Sequence, residues 1–112
     1  PTTPPEVTTT PEPSVAESPT DISSLFDKYS GEYSIDSSLL KKIAQCESGF
    51  NPDAQNGDYR GMFQFASNTW VSVRTLMGHD SHTDLRTNPE EAIKTAAFMI
   101  SRGQQNAWKN CL

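Results

Sequence analysis

Apolar side chains recur near helical spacing in three stretches of the chain. Ile35, Leu39, Leu40, Ile43 and Ala44 form the first. Ser34 or Asp36 can cap its start and Gly49 can end it, so the pattern predicts a helix over about residues 36–47. In the second, Trp70, Val71, Val73 or Arg74, and Met77 supply the faces of a helix that Ser67 would cap and Gly78 would stop. The third has Asn88 as cap, Pro89 at the first helical position and Glu91 completing a box-like pattern. Its apolar face is Ala92, Ile93, Ala96, Ala97 and Ile100, and Gly103 marks its end. Between the first two, Asn51-Pro52 and Asn56-Gly57 signal turns. Asp58-Tyr59-Arg60 then leads into the compact run Gly61-Met62-Phe63-Gln64-Phe65, expected as a loop or a short strand-like segment. Residues 21–33 form an extension of uncertain structure, in which Ile22, Leu25, Phe26 and Tyr29 have the spacing of a short helix.

Composition divides the chain. The first 20 residues are rich in Pro, Thr, Glu and Ser, with only Val7 and Val15 as sizeable apolar groups. They cannot offset the entropy of ordering and read as a disordered, solvated linker. The net charge of −5 localises to the same end: residues 1–33 hold six acids against one base, and residues 34–112 hold eight of each. A neutral folded part gives no reason to expect nucleic acid as a partner, and no apolar run is long enough for membrane insertion by this segment. The expected organisation is a linker over 1–20, the extension over 21–33, and one small, mainly α domain over 34–112, monomeric, its helices packed around the 36–47 helix. The Pro/Thr-rich start is expected to be a tether in a larger secreted or cell-surface protein; a remnant outside the natural sequence is the alternative.

Candidate chemistry gathers between Cys46 and Trp70. Glu47 ends the first helix, where the dipole disfavours a carboxylate, and the apolar run from Gly61 follows close behind. A carboxyl at the edge of an apolar cleft stays protonated nearer to neutral pH and can donate to a glycosidic oxygen. On position alone, an exposed, unperturbed glutamate is the competing reading. Cys46 and Cys111 are the only cysteines, and such a pair in a small domain fits a disulfide better than a metal site, two reduced thiols being the alternative. His79-Asp80-Ser81-His82-Thr83-Asp84 offers enough donors for a divalent metal, but the spacing is weak and the run reads as an exposed loop, so no metal is assigned.

Several of these motifs, in this order, resemble a known family. CESG at Cys46–Gly49, the Asn51-Pro52 turn, the GMFQF run, Thr69-Trp70 and the closing Ala107-Trp108-Lys109-Asn110-Cys111 look like the lysozyme-like catalytic domains of bacterial lytic transglycosylases and, more closely, of resuscitation-promoting factors. The likeness covers about residues 35–112. It implies that Glu47 is the catalytic acid, Gln64 the cleft amide, Thr69-Trp70 part of the helix closing the site, and Cys46–Cys111 a disulfide. Phe50-Asn51-Pro52 is closer to the soluble lytic transglycosylases, whose Ala-Tyr-Asn-Ala-Gly motif has no counterpart here, so the subfamily stays open.

The resemblance implies peptidoglycan glycan strands as substrate and no cofactor. Breaking the bond between N-acetylmuramic acid and N-acetylglucosamine needs a proton for the leaving oxygen and stabilisation of an oxocarbenium-like centre. Asp53 or Asp58 could be a second carboxylate, although Asp in a turn-rich segment usually caps or bends the chain. Without one, the 2-acetamido group would shield the cationic carbon and Glu47 would deprotonate the sugar's own 6-hydroxyl, leaving a 1,6-anhydromuramoyl end. A hydrolytic muramidase and a non-catalytic binding or signalling module are the alternatives. Gln64 either binds an N-acetyl group or Glu47, or satisfies nearby backbone. Tyr59, Phe63, Phe65 and Trp70 either stack on sugar faces or fill the core, and Ser48 and Asn51 shape the loop or hold the acid.

Overall fold

The structure, a computed structural model, describes residues 22–112; the linker expected over 1–20 lies outside the described residues. Four α-helices carry the architecture: α1 (Ile22–Tyr33), α2 (Ser37–Ser48), α3 (Ser67–Met77) and α4 (Pro89–Ser101). A two-residue hairpin, β1 (Gln55–Asn56) and β2 (Tyr59–Arg60), precedes α3, and 3₁₀ segments occupy Thr83–Thr87 and Gln105–Cys111.

Local signals account for most of the helix ends. Asp36 caps α2 by accepting from the Ser38 N–H at 2.8 Å, and Gly49 turns the chain left-handed at φ 63°, donating to the Gln45 carbonyl at 2.9 Å. Asn88 caps α4 by accepting from the Glu91 N–H, with Pro89 at the first position. Two expectations give way. Ser67 is not the cap of α3: Ala66 holds that position, and the Asp58 carboxylate accepts from the Ser67 N–H at 3.0 Å and from its hydroxyl at 3.1 Å. Glu91 does not close a capping box, because its carboxylate is drawn to the buried Arg74 guanidinium at 2.8 Å.

The helices also do not pack around α2. The central element is α4, which buries Ala92, Ile93, Thr95, Ala96, Ala97 and Met99 and touches α1, α2, α3 and the Thr83–Thr87 segment. Small alanines on several sides let neighbours approach closely. Helix α1 lays Leu25, Phe26 and Tyr29 against the core, mostly on α4, and Tyr29 donates to Glu90 at 2.5 Å.

An aromatic cluster connects this core to the region beside Glu47. Phe63 lies 6.0 Å from Trp108 and 6.2 Å from Phe65, and Phe65 lies 5.1 Å from Trp70. Each fully buried aromatic of this kind contributes about 1.5–3 kcal/mol from apolar burial. Arg74, 1% exposed, covers Trp70 at 5.0 Å and also donates to the Thr95 hydroxyl and the Asp80 carbonyl, tying α3 to α4.

Candidate active site

The hairpin, α2, α3, α4 and the C-terminal 3₁₀ segment meet around a cleft of about 530 Å³. Glu47, the penultimate residue of α2, projects into it from one side. Asn56 and Tyr59, paired across the hairpin, also line it, and Tyr59 is 52% exposed. Helix α3 contributes Thr69, while Phe65, Met99 and Trp108 supply apolar lining and Asn110 a further polar group. Trp108 is fixed by donating its indole N–H to the Phe63 carbonyl at 2.9 Å.

The Gly61–Phe65 run is held as a tight loop. Arg60 and Phe65 exchange backbone hydrogen bonds at 3.1 and 3.0 Å across it. The hydroxyl of Ser48 donates to the Met62 carbonyl at 2.7 Å and accepts from the Asn51 N–H at 3.1 Å, so the loop is fastened to the end of α2 beside Glu47. Asn51 accepts from the Asp53 N–H through its side-chain oxygen, bending the chain after the helix. Gln64 lines the cleft, but its amide nitrogen donates to the Ala54 and Gly61 carbonyls at 3.2 and 2.8 Å. That nitrogen supports the loop.

Cys46 and Cys111 form a disulfide with their Cα atoms 5.7 Å apart. The bridge draws the C-terminal segment onto α2 and sets Cys111 Sγ 3.3 Å from Glu47 Oε2. A bridged sulfur has no hydrogen to donate, so this neighbour removes water from the carboxyl without replacing its hydrogen bonds. Burial pushes the Glu47 carboxyl above the ordinary glutamate range. Among the described residues, no cation forms an ion pair with it, and no other Asp or Glu lines the cleft. Asp58 instead caps α3, its carboxyl held below the usual range first by the hydrogen bonds from Ser67 and then by the nearby Arg86 and Arg60. Asp53 does not line the cleft either.

The sequence-predicted residues therefore separate into groups. Glu47, Tyr59, Gln64, Phe65 and Thr69 line one cleft; Ser48 and Asn51 stand behind its wall. Phe63, Phe65 and Trp70, expected as substrate contacts, are 0%, 2% and 0% exposed, so none opens a ring face to a sugar, although Phe65 borders the cleft. The three rings pack in the core, where the Trp70 indole donates to the His82 carbonyl at 3.0 Å. The cleft also contains Asn56, Met99, Trp108 and Asn110, beyond the residues to which the sequence points. Asn56 sat in a recognised turn, Trp108 and Asn110 in the closing motif beside Cys111, and Met99 carried no signal beyond helical spacing. In the His79–Asp84 run, Asp80 accepts from the His82 N–H and the His82 ring from the Asp84 N–H, shaping the entry to the 3₁₀ segment.

A protein-family description, the transglycosylase SLT domain, matches residues 24–110, more than half of the chain. No curated protein and no solved structure matches the chain significantly.

Proposed function

The chain belongs to the transglycosylase SLT domain family, whose lysozyme-like domains are peptidoglycan-acting lytic transglycosylases, and from that premise we propose a specific bond, acid and product. The substrate bond is the β-1,4 linkage from N-acetylmuramic acid to N-acetylglucosamine, and Glu47 is the acid. The observation that carries this reading is the single cleft carboxyl whose burial raises its proton affinity.

Glu47 donates its proton to the glycosidic oxygen as the bond to the muramoyl anomeric carbon breaks. The neighbouring 2-acetamido oxygen shields that carbon, a role that a second protein carboxylate would otherwise fill. The Glu47 carboxylate then takes the proton of the sugar's 6-hydroxyl, and that oxygen closes on the anomeric carbon. The acid is regenerated, no water is consumed, and the new end is 1,6-anhydromuramoyl. Tyr59 supplies an exposed ring for a pyranose face and Phe65 part of the apolar lining, while Gln64 and Thr69 border the sugar path. Ser48 and Asn51 position the acid's surroundings. The protein works as a monomer outside the cytoplasm, where the Cys46–Cys111 disulfide can persist.

Digestion of purified sacculi, with mass spectrometry of the products, tests the assignment. The wild type is expected to release anhydro-ended muropeptides, and Glu47→Gln, which preserves shape but has no proton to give, should lose at least a hundredfold in rate, roughly the low end of general-acid contributions. Reducing ends would show a muramidase, and activity retained by Glu47→Gln would remove Glu47 from the chemistry. The missing Ala-Tyr-Asn-Ala-Gly motif keeps one other reading open, a binding module; no products from either protein would leave that reading in place of the enzyme.

A further inference from the structure

A second concavity, also about 530 Å³, lies against the same disulfide and shares only Asn110 with the lining of the cleft. Lys41, Lys42 and Gln45 come from α2, and Phe50 and the Cys46–Cys111 bridge provide apolar wall. Residues 41 and 45, like 42 and 46, are one turn apart, so these side chains share the surface of α2 opposite buried Leu40, Ile43 and Ala44. No Asp or Glu lines the basin, and among the described residues neither lysine forms an ion pair with one. Lys42 Nζ is already engaged, donating to the Leu112 main-chain oxygen at 2.7 Å, which leaves Lys41 to meet a ligand. Phe50 holds its place at φ 64°, an unusual backbone for a bulky residue, with its ring edge-on to Phe26 at 6.0 Å.

The basin adjoins the cleft. Asn110 lines both, and the bridge that walls the basin puts Cys111 Sγ 3.3 Å from Glu47 Oε2. We propose that this basic, apolar-walled basin receives the anionic stem peptide carried by the muramoyl residue whose anomeric carbon lies at Glu47. The inference rests on the function proposed above. A muramoyl peptide begins on the same sugar ring, carries free carboxylates and small alanyl methyl groups, and spans about 10 Å over three residues, enough to cross one disulfide. Lys41 matches a carboxylate, and Phe50 and the bridge match its methyl groups.

The test uses ¹⁵N-labelled Glu47→Gln protein, titrated with N-acetylglucosaminyl-N-acetylmuramoyl tetrapeptide and, separately, with the same disaccharide lacking the peptide. Both ligands are expected to shift the amide signals of Gln64 and Thr69, and only the tetrapeptide those of Lys41, Gln45 and Phe50. The tetrapeptide should bind about two- to threefold more tightly, the worth of one exposed ion pair. That advantage should vanish when Lys41→Gln is added, its spectrum reporting an intact fold. Cleft shifts without basin shifts, or an advantage that survives Lys41→Gln, would overturn the peptide subsite and leave the glycan reading standing. No cleft shifts with either ligand would overturn both.

Discussion

Replacing Gly61 by alanine should unfold the chain more readily than its size suggests, because two costs add. Gly61 has φ 87°, a conformation that costs an L-residue about 1–2 kcal/mol. A Cβ there would also fall 1.9 Å from the Arg86 carbonyl oxygen and 2.9 Å from its carbon. That contact is with backbone, so no side chain can swing away to relieve it. Arg86 is buried and donates through Nη1 to the Asp58 and Phe65 carbonyls at 2.7 and 3.0 Å, and displacing its backbone weakens charged hydrogen bonds worth about 1.5–3 kcal/mol each. A total near 4 kcal/mol follows, a large share of the roughly 5–15 kcal/mol that stabilises a small domain. Gly57→Ala is the control: its φ is 61°, but nothing lies within 4 Å of the added carbon, so only the conformational cost applies. Urea denaturation followed by circular dichroism, with the disulfide intact, measures both. Equal destabilisation of the two variants would refute the steric argument. Because Gly61 opens the run that places Gln64 and Phe65 in the cleft, Gly61→Ala should also depress sacculus cleavage at temperatures where it remains folded.

Two carboxyls predict opposite responses to pH. Burial raises the Glu47 carboxyl, so its folded form binds the proton more tightly, and its contribution to stability is lost as pH rises through the folded value. Glu47→Gln should therefore melt above the wild type at neutral pH, and the two should converge near about pH 3, below the unfolded carboxyl range; a constant difference across that window would contradict the sign. The Asp58 carboxyl is lowered, so its contribution is present above the unfolded value and lost as pH falls. Asp58→Asn should melt below the wild type at neutral pH, with the gap closing in acid; a gap that widens there would refute the capping role. Reducing the disulfide, or replacing Cys46 and Cys111 by serine, should cost about 4 kcal/mol for a loop of 65 residues, measured by urea denaturation, and should lower sacculus cleavage even where the chain stays folded.

The helix ends that could be read from the sequence are those whose partners are local. Asp36, Gly49, Gly78, Asn88 and Pro89 act within a few residues of where they stand. The capping of α3 could not be read in that way, because its acceptor, Asp58, comes from the hairpin nine residues earlier and reaches Ser67 only after the Arg60–Phe65 loop has closed. Glu91 was misplaced for a similar reason: the local box competes with a buried guanidinium seventeen residues away, and the charged pair wins. Among the aromatics, residue type gave no way to separate Tyr59 from Phe63, Phe65 and Trp70. Tertiary docking decides which ring faces solvent at the cleft, leaving Tyr59 52% exposed while the other three are buried.

The source of Glu47's proton affinity is also less local than its position implies. A glutamate at a helix C-terminus faces the negative end of the dipole, and that alone would favour the protonated form. Here the last carbonyls are partly satisfied: Gly49 donates to Gln45 and Phe50 to Ala44, which diminishes the exposed charge at that end. The stronger cause is burial, and part of the covering is the far end of the chain, brought in by the Cys46–Cys111 bridge and by Trp108 donating to Phe63. The acid is thus tuned by residues more than sixty positions away, with its sequence neighbour Cys46 as the anchor. Loosening that C-terminal segment should lower Glu47's proton affinity before it unfolds α2, so the alkaline limb of the pH–rate profile, where the acid loses its proton, should move to lower pH in the serine variants. An unchanged limb would mean that the dipole, and not the covering segment, sets the acid.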